Sequence, residues 1–173
     1  MNKKELDLLM RKIAVGDDNA FALLYEKTKR GVFAFVYSYL QNYADTEDVM
    51  QETFIAVKQK AKLYKPNTDA RAWILQIAKN LSLDELRKRK QRIEKAETIH
   101  NEPYEEPRIP FLDELTKTLS DKEREIVLLH AVWNYKHKEI ADMKELPLGT
   151  VTWIYKTALA KLKKELEKEN EEV

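Results

Sequence analysis

The sequence has no cysteine and contains only three glycines and five prolines in 173 residues. Without thiol groups it can form no disulfide, no thiolate metal site and no thiol nucleophile. The scarcity of glycine and proline favours long helices over many short strands joined by tight turns. No stretch approaches the roughly 20 apolar residues of a membrane span, and the first residues lack the apolar run of a signal peptide. We therefore expect a soluble, cytoplasmic protein.

The usual sequence signatures of enzymes are also missing. There is no P-loop, no GxSxG motif and no glycine-rich phosphate cradle. The three histidines, at positions 100, 130 and 137, lack the spacing of metal ligands. We expect no catalytic residue, no metal and no cofactor, and hence a protein that is not an enzyme.

Apolar residues recur at spacings of three and four along most of the chain, as from Phe21 to Leu40 and from Trp73 to Leu81. A loop with a capping Asp or Thr is expected over residues 64–70, and the helix after it extends into the basic tract RKRKQR at 87–92. The segment 97–110 has three prolines and four glutamates without apolar periodicity. The sequence thus predicts an all-α fold with two small helical domains, 1–95 and 111–173, joined by an acidic linker, 96–110.

Charge is segregated although the formal net charge is only +1. Four acids and no base lie between Gln41 and Ala56, whereas eight bases and three acids lie between Arg71 and Lys95. The acids suit either a helix N-terminus or docking to a basic partner, and the bases suit either a solvated helix end or contact with phosphates. Aromatic and amide side chains on the basic helix favour nucleic acid.

The C-terminal part contains a helix-turn-helix pattern. A capping box begins at Ser120, a short helix KHKEIADMKEL follows, and after Pro147 comes a second helix, GTVTWIYKTALAKL. This second helix has two lysines and no arginine, and its pattern places Trp153 on the outer face with Ile154 and Leu159 at the margins. It is interpreted either as a DNA recognition helix or as an apolar surface for a protein partner, and beyond Leu162 it is expected to fray.

Two blocks of the sequence resemble region 2 of the extracytoplasmic-function (ECF) group of sigma-70-type RNA polymerase sigma factors. They are GDDNAFALLYEKTKRGVFAFVYSYLQNYADTEDVMQETFIAV and ARAWILQIAKNLSLDELRKRK. The block LSDKEREIVLLHAVWNYKHKEIADMKELPLGTVTWIYKTALAKLKKEL resembles region 4 of the same group. The resemblance covers roughly residues 16–95 and 111–166. It implies a protein that binds core RNA polymerase and directs promoter recognition and melting, with an anti-sigma factor as a possible further partner.

The resemblance also implies sites. Positions that match the polymerase-binding face are Asp45, Glu47, Asp48, Gln51, Glu52 and Phe54. Positions that match the minus-ten element reader are Tyr64, Asn67, Arg71, Trp73, Gln76, Lys79, Asn80, Arg87, Lys88 and Arg89. Positions that match the DNA-contacting part of the helix-turn-helix are Lys138, Thr150, Thr152, Trp153, Lys156, Thr157 and Lys161.

The helix-turn-helix departs from the pattern of the group at its turn. Glu145 stands where relatives often have glycine, which predicts either a strained positive φ that costs about 1 kcal/mol or a different turn. Pro147 stands where relatives often have a capping serine. A sigma-derived protein whose C-terminal domain binds a protein partner through Trp153 and Ile154 is therefore the alternative hypothesis.

Overall fold

The computed structural model describes residues 3–95, 107 and 109–171, and within these the secondary structure is entirely helical. This confirms the all-α prediction. The chain separates into two compact units between Pro107 and Arg108. Most of the predicted linker lies outside the described residues. The helices, with one 3₁₀ turn, are α1 Lys3–Ala14, α2 Asp18–Leu40, α3 Tyr43–Lys60, 3₁₀ Ala61–Leu63, α4 Ala70–Lys95, α5 Pro110–Thr118, α6 Asp121–Ala131, α7 His137–Lys144 and α8 Leu148–Glu171.

In the first unit α2, α3 and α4 pack against one another, and α1 lies across them. Their common core includes the buried side chains of Phe35, Val57 and Ile74. The buried hydroxyls of Thr28, Thr53 and Ser82 need no partner on another helix, because each donates to a carbonyl one turn earlier in its own helix. The contact among α2, α3 and α4 is therefore mainly apolar, and apolar packing sets the rotation of these helices.

The helices of the first unit begin at polar caps. Asp17 accepts from the backbone of Ala20 at 2.9 Å to start α2, and Asn42 accepts from Asp45 at 2.7 Å to start α3. Asp69 accepts from the backbone nitrogen of Arg71 at 3.0 Å at the start of α4. The predicted loop with a capping aspartate before α4 is thus confirmed, and α4 continues through the basic tract as predicted.

In the second unit α6 and α8 each contact the other three helices. The buried guanidinium of Arg124 donates to the carbonyls of Thr116 at 3.0 Å and Leu119 at 2.8 Å, and so closes the end of α5. Its neighbours on both sides make ion pairs to the other helices, Glu125 to Lys144 and Glu123 to Lys161, each at 2.7 Å. Polar contacts therefore fix α5, α7 and α8 against one helix.

The predicted helix-turn-helix is formed by α7, the turn Glu145–Pro147 and α8. Glu145 has φ of +52°, and the backbone nitrogen of Leu146 donates to the carbonyl of Ala141 at 2.9 Å, which closes the end of α7. Of the two possibilities expected for Glu145, a positive φ or a different turn, the structure shows the positive φ. The expected fraying beyond Leu162 is not observed, because α8 continues to Glu171 with ion pairs along its exposed side.

No helix in the described part of the chain is both long and apolar enough to cross a membrane.

The turn generates a stability prediction. Glu145→Gly should raise the free energy of unfolding of the second unit by up to about 1 kcal/mol, because glycine adopts positive φ without a Cβ clash but gains entropy in the unfolded chain. Differential scanning calorimetry of the full chain measures this as a higher Tm. The control Asp142→Gly places glycine inside α7 and should lower the free energy of unfolding by about 1 kcal/mol. The calorimetric transition that this control shifts is the unfolding of the second unit. A lower Tm for Glu145→Gly would contradict the prediction.

Candidate protein and nucleic-acid interfaces

One side of α3 is acidic and faces solvent. Core packing of Val49, Thr53 and Val57 turns the opposite side outward, where Ile55 is also exposed. We call this surface the acidic face; its residues are Asp45, Glu47, Asp48, Gln51, Glu52 and Ile55. None of its four carboxylates is paired with a basic side chain of residues 3–95 or 109–171. The charge of Glu47 raises the pKa of the Tyr43 phenol, as expected next to an uncompensated carboxylate.

Phe54 does not belong to this surface. Its side chain is 2% exposed and its ring meets the edge of Tyr25, with 4.8 Å between centroids. The structure therefore places Phe54 in the core and not on the surface predicted to contact the polymerase, because the packing of α3 on α2 rotates it inward. Ile55, the next residue, is 55% exposed and is the apolar side chain of this surface.

A stripe of side chains follows the solvent side of α4, and we call it the α4 stripe. Its members are separated alternately by three and four residues, so they stack along one helix face. They are Trp73, Gln76, Asn80, Leu83 and Arg87. From end to end the stripe spans about 21 Å, which matches about six stacked nucleotides of one strand.

The α4 stripe combines types of side chain that can contact nucleic acids. Gln76 donates to Asn80 at 2.9 Å, which orders two amides that can bind base edges. Trp73 is half-buried against Tyr64 and Leu83 is 39% exposed, so both offer apolar surface to a base. Leu83 was missed at the level of sequence, although its spacing from Asn80 and Arg87 was the available signal. Lys79 lies beside the stripe with its ammonium group 5.9 Å from the centre of the Tyr39 ring.

Tyr64 and Arg71, both predicted to contact DNA, are buried. Tyr64 is 5% exposed and donates its hydroxyl to Asp7 at 2.8 Å. Arg71 is 7% exposed, and its guanidinium lies 3.4 Å from the carboxylate of Asp69. Neither side chain is exposed for the predicted contact with DNA, because their polar groups hold the loop 64–69 onto the first unit.

The loop 64–69 exposes Asn67, whose φ of +65° lies in the left-handed region that asparagine tolerates better than most residues. A cavity of about 570 Å³ lies between this loop and α1.

The basic tract is exposed and partly compensated within its own helix. Arg87 pairs with Asp84, and the ammonium group of Lys88 lies 3.7 Å from Glu85. Arg89 has no carboxylate partner among the described residues. Exposed ion pairs of this kind contribute little free energy, so phosphates can replace the carboxylates.

The outer side of α8 is polar and aromatic, with little free charge. Trp153 is 66% exposed and Lys156 and Lys138 are exposed, whereas Thr150, Thr152 and Thr157 are half-buried. Lys161 pairs with Glu123. Ile154 is 6% exposed, because the packing of α8 on the other helices of the second unit turns it inward. It joins the inner apolar stripe that it was expected to flank and is not available to the Trp153 and Ile154 surface of the alternative hypothesis.

Thr152 is held by the first helix of the helix-turn-helix. Its hydroxyl lies 3.3 Å from Nδ1 of His137. Burial lowers the pKa of His137, with a further contribution from the charges of His130 and Lys156. A neutral imidazole can accept from the hydroxyl, so His137 orients a side chain of α8. The described residues contain no cluster of three or more potential metal ligands.

An apolar groove of about 820 Å³ runs between α5 and α8 and was not predicted. Phe111, Leu159, Leu162 and Leu166 form its floor, and Lys117 and Lys163 are among the charged residues of its rim. The spacing of the three leucines along α8 was the available signal.

Comparison with known proteins places the chain in a family. Residues 24–92 match the family description "Sigma-70 region 2", and residues 117–164 match "Sigma-70, region 4". The ECF RNA polymerase sigma factor SigK of Mycobacterium sp. (strain KMS) is 26% identical over 160 residues, which cover 85% of this chain and 83% of the relative. The ECF RNA polymerase sigma factor SigW of Bacillus subtilis (strain 168) is 26% identical over 161 residues, which cover 82% of this chain and 86% of the relative.

Two solved structures show the same fold. One is CnrH in complex with the cytosolic domain of CnrY, with a TM-score of 0.67 and 22% identity over 95% of this chain and 98% of that chain. The other is RpoE in complex with the anti-sigma factor NepR from Bartonella quintana, with a TM-score of 0.65 and 20% identity over 85% of this chain and 96% of that chain. With both sigma-70 regions matched in order, the chain belongs to the sigma-70-type RNA polymerase sigma factors, within their ECF group.

Proposed function

We propose that the protein binds core RNA polymerase and directs promoter recognition and opening at the start of transcription. One observation carries this proposal: the first unit presents an acidic face without basic partners on α3 and a stripe of aromatic, amide and basic side chains on the adjoining α4. A protein partner and a nucleic acid can therefore bind different helices of one rigid core. The chain acts by binding, while the chemistry of RNA synthesis belongs to the polymerase. Its place of action is then the cytoplasm.

The acidic face is the proposed polymerase-binding surface. Its acids are exposed or half-buried and lack basic partners in the described chain, so binding to a basic surface removes no existing ion pair. Complementary charge steers association and excludes acidic partners. Gln51 and Ile55 add polar and apolar contact area.

The α4 stripe is the proposed reader of the minus-ten element. An aromatic ring, amides and cations together suit a strand whose bases are unstacked. Opening the duplex and extruding a base cost a few kcal/mol, which contacts to the freed base offset. We assign contact with such a base to Asn67, which is exposed in the loop 64–69. The basic tract beyond the stripe is assigned to phosphates.

The outer side of α8 is the proposed contact with an upstream promoter element. We assign this role to Trp153 and Lys156, with Lys138 at the start of α7 and the three half-buried threonines around them. Lys161 is a weaker candidate because it is paired with Glu123. No arginine lies on α8, so a bidentate contact to guanine is not available there. We expect apolar contact with thymine methyl groups to matter more.

An anti-sigma factor is a proposed further partner. Both solved relatives described above are held in complexes, one with the cytosolic domain of CnrY and one with the anti-sigma factor NepR. Such a partner would bind the surfaces proposed here for polymerase or DNA.

The alternative function, a sigma-derived interaction protein, is favoured by one feature. Trp153 is 66% exposed on a helix with little positive charge, which also suits a protein partner. Because Ile154 is buried, that surface depends on Trp153 alone at its centre.

The acidic face generates a binding prediction. The double variant D48N/E52Q should weaken binding to core polymerase by about tenfold or more, because it removes two charges without changing shape. Fluorescence anisotropy of labelled protein titrated with core polymerase measures this effect. E26Q, which removes an exposed carboxylate from α2, should bind as the wild type does. Equal affinities for the wild type and the double variant would exclude this face as the docking surface.

The basic tract generates a salt prediction. In the holoenzyme, the triple variant R87A/K88A/R89A should open promoters less well. The slope of log open-complex yield against log salt concentration should be less negative by about two, because three phosphate contacts are lost. Open complexes are counted by permanganate reactivity of thymines across a salt series. The variant K27A/K29A/R30A removes three cations from α2 and should keep the slope of the wild type. A fall in core binding for the first variant would refute the separation of the two surfaces.

The outer side of α8 generates a footprinting prediction. The double variant W153A/K156A should lose upstream protection of promoter DNA in the holoenzyme, while protection around the start site remains. K163A/L166A, which changes one basic and one apolar residue farther along the same helix, should leave the footprint intact. Unchanged upstream protection, together with loss of a protein partner, would support the alternative function.

A further inference from the structure

The first helix of the chain determines the conformation of the loop 64–69. Asp7 lies on α1, is 8% exposed, and accepts two hydrogen bonds from the loop. They come from the hydroxyl of Tyr64 at 2.8 Å and the backbone nitrogen of Asn67 at 2.7 Å. Lys3, one turn earlier on α1, lies 3.6 Å from the capping carboxylate of Asp69. Both ends and the middle of the loop are therefore attached to α1.

Arg11 extends this attachment to the side chain of Asn67. Its guanidinium lies 2.8 Å from Asp7 Oδ2 and donates to Asn67 Oδ1 at 2.5 Å. A guanidinium has donors only, so it selects the oxygen of the amide. The Nδ2 group of Asn67 then points away from Arg11 as a donor. Asp7 holds the backbone of this residue and Arg11 holds its amide, so both its left-handed φ and its polarity are fixed.

Two of the other polar side chains of the loop are occupied, since Thr68 Oγ1 donates to the carbonyl of Lys65 at 2.6 Å and Asp69 caps α4. The Lys65 side chain is exposed, and its flexible ammonium group suits a phosphate better than a single base edge. The exposed Asn67 amide lines the cavity between α1 and the loop, together with Lys3, Lys4, Asp7 and Arg11. Asn67 is therefore the side chain through which the loop can distinguish one base from another.

We propose that Arg11 and Asp7 are positioning residues that set the base preference of the loop, because they fix Asn67 with its amide donor directed at the base. The base preferred at that position presents an acceptor to Nδ2. This inference rests on the proposed promoter-opening function. It assigns specificity to α1, which contributes no residue to the α4 stripe.

The test measures base preference in the complete holoenzyme. Holoenzymes containing wild-type protein, R11M, D7N or N67D transcribe a promoter pool randomised across the melted region, and the run-off transcripts are sequenced. At one position of the pool, R11M should lower the preference for the favoured base by about five- to tenfold, since a fixed donor contributes discrimination of that order. N67D, which replaces the donor by an acceptor, should lose the preference at the same position. R11K, which retains a single charged donor, should restore part of it.

The matched control is K12M, which removes one exposed cation from the same helix and should leave every position unchanged. R11M is the decisive variant because Arg11 is largely exposed and its replacement leaves the core intact, whereas D7N could unfold the loop. Core binding and Tm are measured for each variant alongside the sequencing.

The outcomes separate the two proposals. If wild-type holoenzyme yields no promoter-dependent transcripts, the proposed function fails. If wild-type holoenzyme is selective and R11M keeps the same preference at every position, the inference is overturned. An equal loss of preference at all positions in R11M would also overturn it, because that result indicates general damage to promoter opening.

Discussion

The apolar contact among α2, α3 and α4 is the constraint on which the functional surfaces of the first unit depend. Burial of Phe35, Val57 and Ile74 fixes the rotation of each helix, because rotating any one of them would expose apolar area at about 25 cal/mol per Å². The acidic face and the α4 stripe are what this packing leaves outside. Two surfaces of opposite chemistry are thereby held on one core, and neither requires a change of conformation in the other helix.

The same reasoning explains how an exposed loop can be specific. Loops are usually the most mobile part of a domain, and a mobile asparagine would offer a base either its donor or its acceptor. Here a buried carboxylate binds the backbone and a guanidinium binds the amide oxygen. Burial raises the pKa of Asp7, but hydrogen bonds from Tyr64, Asn67 and Arg11 outweigh it and hold the pKa below its ordinary value, so the carboxylate stays charged at neutral pH despite its burial. Rigid support of this kind converts one amide into a directional contact.

Much of this architecture could be predicted from the sequence, because helical periodicity and capping are local. The course of α4 through the basic tract and the aspartate cap before it were such cases. Chemistry was also predictable, since acids, amides and cations are visible in one dimension. The face of the helix on which each residue lies was harder to predict. Phe54, Tyr64 and Arg71 have the right chemical character for binding but are turned inward by contacts with other helices.

The α1 contacts were beyond sequence reasoning for a related reason. Asp7 meets Tyr64 and Asn67 across separations of 57 and 60 residues, and no periodic pattern links residues so far apart. Ile154 illustrates the same limit within one helix. The sequence places it at the margin of an apolar stripe, where its side chain could be either buried or exposed. Only the packing of α8 on the other helices of the second unit decides this.

The pairing of Lys161 with Glu123 has a consequence for how the protein finds its targets. With that lysine held by α6, the DNA contact proposed for the second unit has few unpaired cations, chiefly Lys138 and Lys156. Affinity for random sequence grows with each phosphate neutralised, so this unit by itself should bind duplex DNA weakly. Sequence discrimination there must then come from the contacts around Trp153 and not from a general attraction to phosphates.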